Sequence, residues 1–455
     1  MKEVLLAGAE HKDAYSDLKW SRMHPRGNWA IRTTGFTMRK AFRRGCHSIT
    51  FDQDSFEQAT AQLPPGSLVV LAPTHRSMMD FIVCSYLCFD HPELNISIPY
   101  IAADLQIGGL PFLGWFLKQT HAFYLKRGRG GPDPELNRQI RQLVSDQQTL
   151  EIFIEGTRSR SRQCMKPKRG LLRALQNTGV PVALLPICIT YDRLPEETAL
   201  MKEMQGGAKP LLSMKALLKW TGELIRGQVN IGRVHMACGE PVTLNQDSDV
   251  HQVSYDIMHQ LQARYVVSTY HLKAFLKHVR LPIDLETLSQ MIVARGGTVI
   301  ESPLEVDHVD LLTTRTFNYQ WIHLFYSEAL TYYGPHPALV AHVNHNSFGP
   351  RAENIPQQEE AALKPLLEAL FLPLFNTYER LRLIAREQKE IPYVKPRQVV
   401  AAHPDCFLPV VEEAFTHLVE ADILARSETG FDVLQPKTLA TYAFPEQCQK
   451  ASLRK

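Results

Sequence analysis

What the sequence lacks narrows it first. Its eight cysteines form no CxxC pair and no dense framework, so a disulfide-stapled fold is not expected and a reducing compartment is. No segment reaches the roughly 18 to 20 uninterrupted apolar residues of a spanning helix. The nearest approach, LFLPLF at 370–375, lies in a helical stretch that also carries Lys364, Glu368 and Glu379. Neither sign of charge dominates: the net charge is +3, and bulk electrostatics alone does not point to nucleic acid. MKEVLLAGAEHKD has only a short apolar run before its charges, so no secretory leader is expected, and ASLRK is not a peroxisomal tripeptide. A chain that is soluble or peripheral to a membrane is expected.

What is present is ordinary in bulk and specific in detail. At 455 residues, 44% hydrophobic and 21% charged, the chain is long enough for two or three domains and can build a sizeable core. Residues 1–62 are rich in basic and aromatic side chains, among them Lys19, Trp20, Arg22, Arg26, Trp29, Arg39 and Arg43, and read as a helical arm. Such an arm suits either an anionic membrane surface or plain solvent. LPPG at 63–66 marks a boundary turn. From 63 to 245, short apolar runs (SLVVLA, ISIPYIAA, AFYL, LEIFIE, VALLPICIT, VNIGRVHM) alternate with amphipathic stretches (FIVCSYLCF, PFLGWFLKQ, PELNRQIRQLV, RGLLRALQN, LLSMKALLKW). That alternation predicts an α/β domain with helices packed on a sheet. From 246 to 455 the strands fade and the region reads as mostly helical, with one long helix at 251–279 and others at 359–388 and 407–425. VDHVDLLTTR leaves room for a strand, and 344–358 reads as a loop.

Two clusters carry chemistry. In PTHRSMMDF (73–81), His75 and Asp80 sit five apart. Within one ideal helix they would point about 140° apart and could not meet. If a strand ends at Pro73 and a helix begins near Ser77, the imidazole can fold back onto the carboxylate. A carboxylate on one ring nitrogen fixes the tautomer and leaves the other nitrogen as a base, which is the histidine–acid half of a triad. The same residues also fit a helix N-terminus capped by Thr74 or Ser77 and favoured by the charge of Asp80. The second cluster, FIEGTRSRSRQCMKPKRGLL (153–172), places Arg158, Arg160, Arg162, Lys166, Lys168 and Arg169 in a run without an acid. On an extended segment the alternating arginines share a side, and Gly156 allows a sharp turn after the strand. Such a row can receive a phosphate bidentately or can be a solvated basic loop. Glu155 can hold the arginines or bond a substrate hydroxyl. The run lacks interleaved aromatics, and no helix-turn-helix or zinc spacing accompanies it, so no nucleic-acid partner is expected. The HVNH stretch at 342–345 reads as surface loop, not as a metal site.

Together the clusters resemble the HxxxxD glycerolipid acyltransferases, in the branch of glycerol-3-phosphate and dihydroxyacetone-phosphate acyltransferases. PTHRSMMDF, LPFLGWFLKQTHAFYLKRG (110–128), IEGTRSRS with KPKRGLL, and VALLPICITYDRLPEE (182–197) resemble the family's four blocks in order, and CGEPVTL (238–244) resembles the closing strand and turn. The His-Arg-Ser form of the first block and the EGTRSRS form of the third favour this branch; a lysophosphatidate acyltransferase and a non-catalytic phospholipid-binding protein are the alternatives. The chain departs from the pattern at His121 and at Arg162–Gln163, where the family commonly has Gly and Gly-Lys.

The resemblance implies a central mixed sheet flanked by helices, with the mostly helical C-terminal region following. It implies His75 as general base, Asp80 as its orienting acid, and an acceptor phosphate held by Arg127, Arg158 and Arg160. Glu155, Gly156 and Thr157 would shape that pocket, with Arg76, Ser77 and Lys168 as further candidates. Acyl-CoA or acyl carrier protein would be the donor. No cofactor or metal is expected, and the oxyanion donors are expected among backbone N–H groups near the helix start. LPFLGWFLK, with six large apolar residues of nine, is either an acyl-chain or bilayer contact or a core helix. A peripheral position on the cytoplasmic membrane face is expected. Glycerol 3-phosphate is the expected acceptor. KPKRGLL leans toward dihydroxyacetone phosphate, and the short N-terminus and absent peroxisomal tail lean away from it.

Overall fold

The computed structural model describes residues 2–8, 29–104, 119–125, 134–207, 222–223, 226, 229–306, 320–349, 360–388 and 390–445. Arg127, LPFLGWFLK and LLSMKALLKW lie outside the described residues, as do nearly all of VDHVDLLTTR and the 350–358 part of the expected loop. The central sheet is built from β1 (Glu3–Gly8), β2 (Ser48–Asp52), β3 (Leu68–Pro73), β4 (Tyr100–Asp104), β5 (Ala122–Leu125), β6 (Leu150–Glu151), β7 (Val182–Tyr191), β8 (Arg233–Cys238) and β9 (Val242–Leu244). Its order is β1-β2-β8-β7-β3-β6-β4-β5, with β9 beside β7. The β1–β2, β7–β8 and β7–β9 pairings are antiparallel and the others parallel, so the sheet is mixed as expected.

The central strands are largely apolar because both faces are covered; all ten residues of β7 are buried. Alternation sends Val70, Ala72 and Leu184 into one core layer and Leu71, Leu185 and Ile187 into the other. The first layer is closed by α4 (Pro134–Ser145), α5 (Gly170–Gln176) and α7 (Val250–Ala263), through Ile140, Leu172 and Ile257. Asp249 caps α7 by accepting the His251 N–H. The second layer takes α1 (Trp29–Gly45), α2 (Gln53–Ala61) and α3 (Asp80–Asp90). It runs without a break into the C-terminal region, through α8 (Thr269–Val279), α9 (Leu285–Ala294), α10 (Tyr326–Tyr333), α11 (Pro337–Asn346), α12 (Glu360–Gln388), α13 (Pro396–Ala402) and α14 (Leu408–Glu420).

Several local expectations need correction. The 1–62 stretch is not helical throughout: EVLLAG and SITFD enter the sheet as β1 and β2, because β2 pairs with β8 in parallel and buries all five of its residues. The long helix at 251–279 is broken. Val266–Ser268 pairs with Thr298–Ile300 in a small parallel sheet, and α8 starts anew after it. The region after 246 is mostly helical as expected but keeps short strands, and a second small sheet joins Glu390–Ile391, Leu424–Arg426 and Phe431–Val433. The strand expected over LEIFIE keeps only its first two residues, and HVNH lies on α11 rather than in a loop. His342 is buried there and bonds Glu413 at 2.8 Å. Among the described residues no helix is long and apolar enough to cross a membrane.

The helix that carries Asp80 is held by close approach as well as by apolar contact. A Cβ on Gly35 of α1 would stand 2.5 Å from a ring carbon of Phe89, itself buried on α3. Gly35→Val is expected to lower unfolding free energy by about 1–3 kcal/mol through overpacking, measurable by urea denaturation. An unchanged midpoint would show that α1 and α3 yield without strain.

Candidate active site

The chain leaves the sheet at Thr74 but stays pinned to it. The Thr74 N–H donates to the Ile187 carbonyl, and its hydroxyl accepts the Ile189 N–H at 3.0 Å. The loop of residues 75–79 then crosses to α3, which starts at Asp80, later than the Ser77 start expected. The His75 ring folds back, and its Nδ1 lies 3.0 Å from Asp80 Oδ2. That oxygen also accepts the N–H groups of Arg76 (2.6 Å) and Ser77 (2.8 Å), and Oδ1 accepts the Tyr191 hydroxyl at 2.7 Å. Asp80 is fully buried. Burial, reinforced by the charge of Asp80, holds the Tyr191 hydroxyl well above the usual phenol range, so it stays a donor. The imidazole stacks on Phe153, centroids 4.1 Å apart, and is 12% exposed. Its Nε2 has no partner among the described residues.

The third block packs directly against this loop. The His75 carbonyl accepts the Ser159 N–H at 2.8 Å, and Gly156 turns the chain at φ +71. Arg76 does not face the cleft. It is buried and donates to both oxygens of Glu155 at 2.7 and 2.9 Å. Glu155 also accepts the His75 N–H, so this carboxylate braces the loop from beneath. Burial pushes its carboxyl up, and Arg76 pulls against that shift. A fully buried Glu155 is not exposed to a substrate; removing either member of such a pair costs about 3–5 kcal/mol. Ser77 donates its hydroxyl to Glu196 at 2.8 Å.

Arg158 and Arg160, two of the arginines expected to receive phosphate, each meet carboxylates. Arg158 Nη1 donates to Glu196 at 2.6 Å. Arg160 donates to Glu203 and to Glu412 of α14. Buried Arg162 reaches the Tyr191 and Asp192 carbonyls and the ring of His271. Thr157 is partly exposed, and Lys168 is exposed with its N–H on the Ile154 carbonyl. Each N–H from His75 to Met79 bonds a side chain: Glu155, Asp80, Asp80, Glu196 and the Ser77 hydroxyl in turn. These five groups are therefore already occupied in this arrangement. Tyr191, Glu196, Glu203 and Glu412 were not singled out from sequence. The available signal was the acid-free basic run itself, whose neutralising partners had to come from elsewhere.

Residues 56–190 match the family model described as Acyltransferase. Over this stretch the chain is similar to proteins named as glycerolipid acyltransferases. A Homo sapiens protein named dihydroxyacetone phosphate acyltransferase is 28% identical over 312 residues, which is 66% of this chain and 44% of that protein. A glycerol-3-phosphate acyltransferase of Xanthomonas campestris pv. campestris is 36% identical over 192 residues, 40% of this chain and 21% of that one. The matched stretch thus spans less than half the length of either relative. The solved 1-acyl-sn-glycerophosphate (LPA) acyltransferase of Thermotoga maritima is 18% identical, with a TM-score of 0.31 over 52% of this chain and 79% of that chain, a likeness too low to bear on the fold.

Both departures from the family pattern have a backbone explanation. His121 and Arg162 stand at φ +66 and +59, the left-handed region where glycine costs least. The family's usual glycines fit those turns. Here His121 is steadied by stacking on Tyr100, centroids 4.2 Å apart, and Arg162 by its buried bonds.

Beneath Asp80 lies Glu151, fully buried on β6, with no hydrogen-bond partner for either oxygen among the described residues. Burial pushes its carboxyl well up, and the charge of Asp80 adds to the shift. The unfolded chain releases this proton above the ordinary value of 4.5 while the fold retains it. Stability tied to Glu151 is therefore full at low pH and lost as pH rises. Glu151→Gln should be more stable than the parent at pH 8, with a gain that shrinks towards pH 4.5 at up to about 1.4 kcal/mol per unit. Thermal unfolding across that range decides; a gain that does not change with pH would contradict it.

Proposed function

We propose that the chain transfers a fatty acyl group from acyl-CoA or acyl carrier protein to the primary hydroxyl of a phosphorylated three-carbon acceptor. Glycerol 3-phosphate, acylated at its sn-1 hydroxyl, is the expected acceptor. The observation that carries this is a partly exposed His75 with Nδ1 fixed by Asp80 and Nε2 unpartnered, on a loop bonded to the arginine-bearing loop of the third block. His75 Nε2 takes the proton of the acceptor hydroxyl as its oxygen attacks the thioester carbonyl. The imidazolium that forms is stabilised by Asp80, and the thiol leaves as the tetrahedral intermediate collapses. Arg127, Arg158 and Arg160 are the proposed phosphate ligands, which turn an encounter into an oriented complex. Peripheral binding at the cytoplasmic membrane face, through residues 110–118, belongs to the same reading.

Dihydroxyacetone phosphate is the second reading. It is favoured by the match to the human relative, which extends over 66% of this chain against 40% for the Xanthomonas campestris protein. The test is thiol release from palmitoyl-CoA with glycerol 3-phosphate, dihydroxyacetone phosphate and lysophosphatidate in parallel. Release that depends on one three-carbon acceptor is expected. His75→Ala should lower kcat by about 10²–10⁴-fold with its melting temperature unchanged. Near-normal turnover in that variant, or release only with lysophosphatidate, would overturn the reading.

A further inference from the structure

We propose that Glu196 is a positioning residue that fixes Arg158 against the His75 loop, so that the free edge of the guanidinium grips the acceptor phosphate. The inference rests on the acyl-transfer reading above. Three donors converge on this one carboxylate. Oε1 accepts the Met78 N–H at 2.8 Å and Arg158 Nη1 at 2.6 Å, and Oε2 accepts the Ser77 hydroxyl at 2.8 Å. Two of the donors belong to the loop between His75 and Asp80, and the third belongs to the EGTRSRS block. Glu196 is thus a bridge of one side chain between the base and the cation.

The geometry favours positioning over simple neutralisation. Arg160 has both of its Nη groups taken, by Glu203 and Glu412. Arg158 gives only Nη1 to Glu196 and keeps Nε and Nη2 without a partner among the described residues. Its side chain is 17% exposed and that of Glu196 15%, so the pair lies at the rim of the site rather than in the core. A guanidinium held at one nitrogen presents its remaining edge, with two N–H directions, in a fixed plane suited to a phosphate. Glu196 sits at the head of α6 (Glu197–Met204), directly after the Tyr191 strand that anchors Asp80. The strand that orients the base therefore also orients the anion grip, and the distance between the two is set by rigid elements.

The experiment uses the full chain as parent, Glu196→Ala and Glu196→Gln. Steady-state kinetics should show the KM for glycerol 3-phosphate raised at least tenfold in Glu196→Ala. The KM for palmitoyl-CoA should stay within about twofold, and Glu196→Gln, which keeps an accepting oxygen, should fall between. Calorimetric titration with inorganic phosphate reads the same coupling without turnover, and its affinity should fall in parallel. Unchanged phosphate affinity in Glu196→Ala, or no phosphate binding by the parent, would overturn the proposal. Tighter phosphate binding would overturn it too, because Glu196 would then compete with the ligand instead of placing its receptor. A parent that binds phosphate but releases no thiol with any acceptor would instead sink the acyl-transfer reading.

Discussion

The buried carboxylate of Asp80 is the constraint from which the site follows. It accepts from His75, from two successive backbone N–H groups and from Tyr191, so it ties the loop before its own helix to the central strand β7. Each bond, left unmade in a dry interior, would cost about 1–3 kcal/mol. The loop conformation, the start of α3 and the orientation of the imidazole are therefore one decision. Glu155 supports the same loop from the other side through the His75 N–H and Arg76. An imidazole braced in this way loses little freedom when a substrate arrives, which is what a general base needs.

The basic run beside it has two jobs. Its first arginine keeps donors to spare, and those after it also knit the molecule together. Arg160 and Lys166 reach Glu412 and Glu420 of α14, and Arg162 reaches His271 of α8. The C-terminal region is thus attached to the loop that follows Glu155 by charge as well as by the shared apolar core. Burial holds His271 neutral, down at about 3, so it can accept from Arg162 without adding a second positive charge.

The sequence made some of this legible and hid the rest for physical reasons. His75 and Asp80 could be paired on paper because the strand-to-helix corner is local and five residues suffice to close it. The alternation of apolar runs placed β3 and β7 well, since buried strands covered on both faces read as continuous apolar stretches. EVLLAG and SITFD were hidden by the basic residues around them, and their partners are distant strands. Val266–Ser268 vanished inside a helical pattern because three residues carry no period of their own. Glu196, Glu203 and Glu412 could not be assigned to their arginines, because separations of 38 to 252 residues are set by the fold alone. The residues left Glu155 either as a holder of arginines or as a ligand of a substrate hydroxyl; the fold buries it against Arg76, and only three-dimensional packing shows that contact.

The central claim is that Asp80 holds His75 with its proton on Nδ1 and leaves Nε2 bare. Nitrogen-15 NMR of histidine-labelled protein, with the His75 signals assigned by comparison with His75→Gln, measures that directly. The Nδ1-protonated tautomer is predicted for His75 at neutral pH, giving way to a mixture in Asp80→Asn. An Nε2-protonated ring in the parent, or a tautomer indifferent to Asp80→Asn, would contradict it.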